Sequence, residues 1–391
     1  MRGRRLRAAG LVLFGVVLAL LGGELLARWQ FELPDTMIEP DAALGWRHVP
    51  NRAGWYSESA WRFEGKPRIP VRINSQGLLE REYPLRKADG ARRVLVLADS
   101  FGGDFGVPFD ALFPKVAEAR ANAGRPERRY EVINAGVSGF GTAQELVMFR
   151  ALGRRYEPDV VVLAFYMNDV GDNGDGYRRR PRFSLREGRL VSEAPALDSS
   201  DIESLPATRL LNAHSRLFRL VREKLIRWPA ARGLLARLHL ANPRVLQADA
   251  AYRGWLAIFL TEDDRTAEDQ WRLTEALIRQ LRDEVRAAGA RFAVMIFPME
   301  GQVYPERFTP FWRQYYAGRD YDLDRPNRAL ARFLAREEIP ALDLLPALRA
   351  RAAQGEADLY RPGDIHWTPK GHAIAGEALV EFLARQGLLG P

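Results

Sequence analysis

The chain of 391 residues contains no cysteine. Disulfide staples, thiolate metal sites and a cysteine nucleophile are thereby excluded, and the chain is indifferent to the redox state of its compartment. Histidine is scarce: His48, His214, His239, His366 and His372 are the whole set, and no H-E-x-x-H or similar spacing joins them. A metal centre would need several ligands from this small set, so neither a metal nor any other cofactor is expected. No G-x-G-x-x-G follows the first apolar strand, which argues against dinucleotide binding. The net charge is +8, mostly arginine spread along the chain, but no zinc-finger spacing, recognition-helix pattern or aromatic-rich basic module accompanies it. Nucleic acid is therefore not expected as a partner. A basic surface facing an anionic membrane or an acidic polymer fits better, beside the plain alternative of an arginine-rich composition. There is no internal repeat and no low-complexity tract.

What is present is globular in kind: 47% apolar and 28% charged residues, in a chain long enough for one large domain plus additions. Arg2, Arg4, Arg5 and Arg7 precede an uncharged run from Ala8 to Gly23; Glu24 interrupts it, and Leu25, Leu26 and Ala27 extend it. Ala8 to Ala27 is twenty residues, enough to cross a bilayer as a helix. No A-x-A-like cleavage site follows, so residues 1–30 are expected to be an uncleaved, single-pass anchor. The clustered arginines orient its N-terminus to the cytoplasm. The rest then lies on the outer side of a bacterial inner membrane, with Glu24 near the far interface.

Residues 31–90 are rich in Pro, Gly, Trp and Tyr and read as a stalk with short strands. Val71 to Ile73 followed by Asn74-Ser75-Gln76-Gly77 looks like a strand running into a turn. From Arg92 onward the pattern changes. Val94 to Leu97, Val160 to Phe165 and Phe292 to Phe297 are unbroken apolar runs, with Val132-Ile133 and Pro340 to Leu344 as weaker ones. Strands apolar on both faces belong to parallel sheets covered by helices. Helices are expected between them. One opens at a Thr142-Ala143-Gln144-Glu145 capping box. A second runs from Asp264 to Ala288 with Gly289 as its stop. The last starts at Thr368-Pro369. The expected fold is α/β, a doubly wound three-layer sandwich with a mostly parallel five-stranded sheet over residues 91–391. Residues 174–258, with Arg178-Arg179-Arg180 and the basic amphipathic stretch Arg209 to Trp228, interrupt the rhythm and are expected to form an inserted helical cap.

Four loops that follow apolar strands or precede the last helix hold the candidate chemistry. They are Asp99-Ser100-Phe101-Gly102-Gly103, Asn134 to Gly139, Tyr166-Met167-Asn168-Asp169, and Asp364-Ile365-His366. In a doubly wound fold they converge on one edge of the sheet. A serine hydroxyl needs an adjacent base to act as a nucleophile. His366 can take the proton of Ser100, and Asp364 can hold the imidazole tautomer. The backbone N–H groups of Ser100 and Gly139 and the amide of Asn168 could donate to an oxyanion. Singly, each residue is also compatible with a turn or a cap. Asp172, Asn173 and Asp175 hint at a calcium loop, but their spacing fits no D-x-D-x-D-G pattern. His372, inside the last helix, reads as packing or support.

Taken in order, Ala98-Asp99-Ser100-Phe101, Asn134 to Gly139, Asn168-Asp169 and Asp364-Ile365-His366-Trp367 resemble the four blocks of the SGNH/GDSL hydrolase superfamily. Leu44-Gly45-Trp46, Asn74 to Gly77 and Arg81-Glu82-Tyr83 resemble a membrane-anchored bacterial branch. The sequence departs from the pattern in three places. Ala98 stands where glycine is usual, Gly103-Asp104 is out of register, and the acid lies two residues before the histidine rather than three. The resemblance implies a flavodoxin-like sandwich and a metal-independent esterase, lipase or acyl transferase. It implies Ser100, His366 and Asp364 as catalytic residues and Ser100, Gly139 and Asn168 as the oxyanion site. Ester hydrolysis on an acylated small molecule, lipid or envelope polysaccharide is the leading expectation. O-acyl transfer from the same site, or non-catalytic polysaccharide binding, are the alternatives.

Overall fold

The structure, a computed structural model, describes residues 2–31, 37–57, 59, 65–124, 129–174, 180–193, 208, 210–211, 214–238, 240–241 and 248–389. Arg178, Arg179, Asp175, Arg209 and His239 lie outside the described residues, as do parts of the 31–90 and 174–258 segments.

Along the chain, helix α1 (Arg2–Gln30) precedes strands β1 (Ile38–Asp41), β2 (Gly45–His48), β3 (Ala53–Tyr56), β4 (Ile69–Arg72) and β5 (Ala91–Ala98). Then come α2 (Phe113–Asn122), β6 (Arg129–Asn134), α3 (Thr142–Ala151), β7 (Val160–Tyr166), α4 (Asp169–Gly174), β8 (Arg182–Arg186) and β9 (Arg189–Glu193). Next are α5 (Arg216–Arg227), α6 (Pro229–Arg237), α7 (Ala248–Leu256), α8 (Arg265–Ala287) and β10 (Arg291–Phe297). Helices α9 (Glu300–Val303), α10 (Pro305–Tyr316) and α11 (Arg325–Arg336), strand β11 (Ala341–Asp343), and helices α12 (Leu345–Ala353) and α13 (Pro369–Arg385) complete it. The elements group into two compact units. One comprises residues 1–35, 55–68 and 196–248; the other comprises 36–54, 69–195 and 249–391.

The larger unit is built on a five-stranded sheet in the order β6-β5-β7-β10-β11, every neighbouring pair parallel. Ranked by position in the chain, this order is 2-1-3-4-5, the doubly wound order whose winding reverses between the first and third strands. The apolar runs are the reason. Every residue of β7 is buried, and so are the last six of β5 and of β10, so both faces of the sheet must be covered. Helices α2 and α13 pack together, and α3 and α4 pack with α8, completing a three-layer α/β sandwich. Helix α8 begins at the Asp264 cap, whose carboxylate accepts from the Ala267 N–H at 3.0 Å, and stops before Gly289 at φ +82°. Thr368 caps α13, with Pro369 at its first position.

Two local expectations change. The cap of α3 is Gly141, not Thr142: Gln144 Oε1 accepts from the Gly141 N–H at 3.3 Å, while the Thr142 hydroxyl donates to Asp169 at 2.9 Å. The excursion after β7 is not wholly helical either, because it opens with the antiparallel β8–β9 hairpin. Glu187 and Gly188 both have positive φ at its two-residue turn, the geometry whose twist suits a tight hairpin.

In the smaller unit, the stretch Gly10–Gln30 of α1 is long and apolar enough to cross a membrane, and it lies near the N-terminus. Glu24, within that stretch, receives the start of α5. Its carboxylate accepts from the Ser215 hydroxyl (2.8 Å) and from the N–H groups of Arg216 (3.1 Å) and Leu217 (3.0 Å). These are the donors a helix N-terminus leaves unsatisfied.

Candidate active site

The reversal of winding between β5 and β7 opens a crevice at the carboxyl ends of those strands. Ser100 follows β5 and Asn168 follows β7, so the topology sets them on its two sides. The Ser100 loop is braced from below. Asp99 accepts from the Phe101 N–H at 2.9 Å, and its O atoms also receive Gly102 and Gly103, whose N–H groups donate to the Asp99 carbonyl at 3.2 and 2.9 Å. It is braced from the side by backbone against backbone. A Cβ on Gly103 would sit 2.6 Å from Ser138 N, and one on Gly136 would sit 2.6 Å from Gly102 Cα. Asn134 bridges the two loops, donating to the Gly102 carbonyl at 2.9 Å and accepting from the Gly136 N–H at 3.1 Å. Gly139 follows at φ +78°, a conformation that favours glycine.

Asp364 and His366 sit on a loop closed by its own backbone. The Tyr360–Trp367 bridge and the Arg361 N–H to His366 carbonyl bond (2.9 Å) shut it. Within it, Arg361-Pro362-Gly363-Asp364 makes a turn: the Asp364 N–H donates to the Arg361 carbonyl at 3.1 Å, with Gly363 at φ +71°. Proline and then a positive-φ glycine at the two central positions are the signature of a type II turn. His366 Nδ1 and Asp364 Oδ1 are 2.5 Å apart. His366 Nε2 is buried without a hydrogen-bond partner. The loop is docked by Trp367, fully buried, whose ring lies 4.6 Å from those of both Phe101 and Phe297. Phe101 in turn lies 5.4 Å from the His366 ring, which brings the histidine beside the residue that follows Ser100. Ser100 Oγ does not meet His366; its hydroxyl points to Asp99 Oδ2 at 3.4 Å, a long contact.

Behind Asp364 runs a relay of alternating charge. Arg361 reaches Asp364 Oδ2 at 2.9 Å and Asp104 Oδ1 at 3.1 Å, and Asp104 Oδ2 lies 3.7 Å from His372 Nε2. His372 Nδ1 accepts the Phe113 N–H at 3.3 Å, so its ring proton sits on Nε2, facing Asp104. Partial burial pushes the Asp364 carboxyl up, but the hydrogen bond and charge of His366 and the charge of Arg361 outweigh it and hold the pKa at about 2. Burial pushes His366 down; the Asp364 hydrogen bond, then the charges of Asp104, Asp364 and Asp99, bring its pKa above the usual value. Arg361 and Asp104 were not singled out as site residues in the sequence. The Arg-Pro-Gly-Asp turn was the available signal for the first; nothing local marks the second.

Asn168 donates from Nδ2 to Asp172 Oδ2 at 3.0 Å, while its Oδ1 is buried without a partner. An amide carries two N–H donors, so this bond uses one of them. Beneath the crevice lie three buried carboxyls, Asp99, Glu145 and Asp169. Burial raises the pKa of Asp99 to about 6 and those of Glu145 and Asp169 well above the usual range, the neighbouring carboxylates adding to the rise in the latter two. Among the described residues, no cluster of three or more His, Asp or Glu side chains could hold a metal ion.

Fold and loops together define a doubly wound α/β protein with a serine and an Asp–His pair gathered near one strand-end crevice. Residues 250–390 match the family described as an SGNH hydrolase-like domain, acetyltransferase AlgX, and this stretch includes Asp364 and His366. The chain carries an SGNH hydrolase-like domain. A probable alginate O-acetylase AlgJ of Pseudomonas putida is 33% identical over 114 residues, 29% of this chain and 28% of the relative. The alginate biosynthesis protein AlgX of Pseudomonas aeruginosa is 32% identical over 126 residues, 32% of this chain and 24% of the relative. The chain thus spans about a quarter of the length of the relatives it matches. Among solved structures, it is similar to an acetylxylan esterase, Axe2, of Geobacillus stearothermophilus (TM-score 0.39, 15% identity, 75% of this chain and 94% of that one). TesA is similar too (TM-score 0.37, 14% identity, 75% and 99%).

Proposed function

We propose that the protein is a serine-dependent O-acyltransferase that acts on envelope polysaccharide from the outer side of the cytoplasmic membrane, with residues 1–30 as anchor, 31–90 as stalk and 91–391, including the 174–258 excursion, as the catalytic domain. The observation that carries it is the Asp364–His366 pair at 2.5 Å with Nε2 unpartnered, on a loop packed against Phe101 next to Ser100. Sequence reasoning put hydrolysis ahead of transfer. The order is reversed here because the matched family is described as an acetyltransferase and one relative is named an O-acetylase, and the matched stretch contains the Asp–His pair.

In this reading the Ser100 hydroxyl turns from Asp99 to His366. Its oxygen attacks the acyl carbonyl of a donor ester while Nε2 takes the proton, and the imidazolium is stabilised by Asp364. The N–H groups of Ser100 and Gly139 and the second N–H of Asn168 donate to the oxyanion. The C–O bond to the donor alcohol breaks and that oxygen takes the proton from His366, leaving acyl-Ser100. A polysaccharide hydroxyl then loses its proton to His366 and attacks. The acyl–Ser100 bond breaks, and the proton returns to Ser100. Water in place of the acceptor gives hydrolysis. No cofactor enters.

The test uses the full chain in detergent with 4-nitrophenyl acetate and an alginate acceptor, following acetate on the glycan and in solution by mass spectrometry. Acetylated glycan that disappears in Ser100→Ala is the expected result. Free acetate alone returns the reading to hydrolysis. Unchanged turnover in Ser100→Ala, or glycan binding with no turnover on any ester, removes the serine mechanism altogether.

A further inference from the structure

Within the smaller unit, α1 and α5 are joined at one turn of α1. Besides the three bonds from the start of α5 to Glu24, Arg28 donates to Glu24 at 2.7 Å and to the His214 carbonyl at 2.6 Å. Arg216 donates back to the carbonyls of Arg28 (3.1 Å) and Phe31 (2.7 Å). The start of α5 is therefore fixed to the C-terminal end of the apolar stretch of α1. Arg222 ties α5 to the chain after α6 by donating to the Leu240 carbonyl at 2.8 Å.

Helices α5 and α6 and the residue between them leave several large apolar side chains uncovered. Trp228, between them, is 62% exposed, and Leu234 and Leu238 are 59% and 52% exposed. Leu234 and Leu238 are four residues apart and share a helix face, whereas Leu235 and Ala236 point inward and are buried. Single exposed leucines are ordinary; a tryptophan and two leucines exposed within eleven residues are a concentration of uncovered apolar surface. The charge around it is one-sided. Arg216 to Leu238 holds seven Arg or Lys and one Glu. Lys224 and Arg237 are exposed.

We infer that α5 and α6 lie on the outer leaflet of the lipid bilayer, with Leu234 and Leu238 at the top of the acyl chains, and Trp228 and the basic side chains at the level of the headgroups. The occupant is lipid rather than protein on two grounds. The helices that carry the patch are fixed, at the start of α5, to the end of the apolar stretch of α1. The cationic rim of the patch also suits anionic headgroups, whereas the centre of a protein interface is depleted of charge. Tryptophan belongs at the level of the headgroups. The inference rests on α1 being a membrane anchor.

The absence of cysteine permits a clean test. Full-length Leu234→Cys, Leu238→Cys and, in α1, Leu18→Cys proteins carry an NBD label in nanodiscs containing phosphatidylglycerol. Each is quenched in turn by iodide and by lipids spin-labelled near the headgroup or deep in the chain. The expected result is loss of most emission at 234 and 238 to the shallow spin label with little quenching by iodide, and loss at 18 to the deep label. Quenching of 234 and 238 by iodide but not by lipid overturns the inference. So does protection from both quenchers, which would mean that protein covers the patch. If label 18 escapes the deep spin label, the anchor reading itself fails; if only 234 and 238 escape lipid, the anchor stands and the inference alone is lost.

Discussion

Replacing Asp364 by asparagine separates the carboxylate's charge from the shape of the loop. Oδ1 lies 2.5 Å from His366 Nδ1, while Arg361 holds Oδ2 at 2.9 Å, so the substitution removes one charge-assisted bond on each side. A hydrogen bond to a charged group contributes about 1.5–3 kcal/mol, or about 10- to 160-fold in rate at 1.36 kcal/mol per tenfold. Loss of the correct imidazole tautomer adds to this; where the acid is fully buried, the combined loss reaches about 10⁴. The Asp364 side chain is 37% exposed, and solvent screens its charge, so the expected loss is smaller, about 10²–10³. The assay is the second-order rate of Ser100 labelling by a fluorophosphonate across pH, because that step needs His366 neutral. In the parent, the rate should rise with pH through a midpoint above 6.5, since the Asp364 bond and nearby carboxylates raise the His366 pKa against its burial. In the variant, burial meets less opposition, the His366 pKa falls, and the midpoint moves to lower pH even as the plateau drops. A variant with the parental plateau and midpoint would refute the role given to Asp364.

Glu145 tests the buried carboxyls. Both of its oxygens lack hydrogen-bond partners, and burial, then Asp99, raises its pKa well above 4.5. A raised folded-state pKa contributes stability that is complete below the unfolded value and is lost as pH climbs through the folded one. Thermal melting of the parent should therefore fall more than that of Glu145→Gln between about pH 5 and about pH 8; parallel decreases would count against it. Gly103→Ala should cost about 1–3 kcal/mol of stability and slow Ser100 labelling, because its Cβ would meet Ser138 N at 2.6 Å and Val137 Cα at 2.9 Å. An unaltered melting temperature would mean that the two loops can part without cost.

The sheet was legible because burial on both faces leaves strands without a polar residue. Val160 to Phe165 needed no tertiary information to be read as a central strand. The candidate loops were legible as loops of one sheet edge because each follows an apolar run or precedes the last helix. What could not be read was set by distant partners. Thr142 has the local appearance of a cap, yet its hydroxyl goes to Asp169, 27 residues away in sequence, and Gln144 serves Gly141 instead. Asp104 shows in sequence only as part of an out-of-register Gly103-Asp104 pair, and its place beside the site comes from folding, which brings Arg361 and His372 to it. The β8–β9 turn was missed because its first central residue is Glu187, a poor choice for positive φ, even though Gly188 follows.

The two-residue spacing of Asp364 and His366, a departure from the three-residue pattern, has a physical basis in the loop. Residues 364–366 form a bend, which folds the Asp364 carboxylate back onto the His366 ring at 2.5 Å and leaves the intervening Ile365 exposed. The type II turn at Pro362-Gly363 delivers that segment, and the Asp364 carboxylate also accepts the His366 backbone N–H at 3.2 Å. A short reach leaves the carboxylate partly open to water, and an open carboxylate is free to turn away. Arg361 restrains it by holding the outer oxygen, and Asp104 holds Arg361 from behind. The same cation tempers the site electrostatically. Together with the His366 hydrogen bond and charge, which lower the acid more, it holds Asp364 at a pKa of about 2, so that Asp364 stays ionised without taking the proton from His366. In the proposed mechanism the imidazole is then poised to receive a proton from Ser100 and return it.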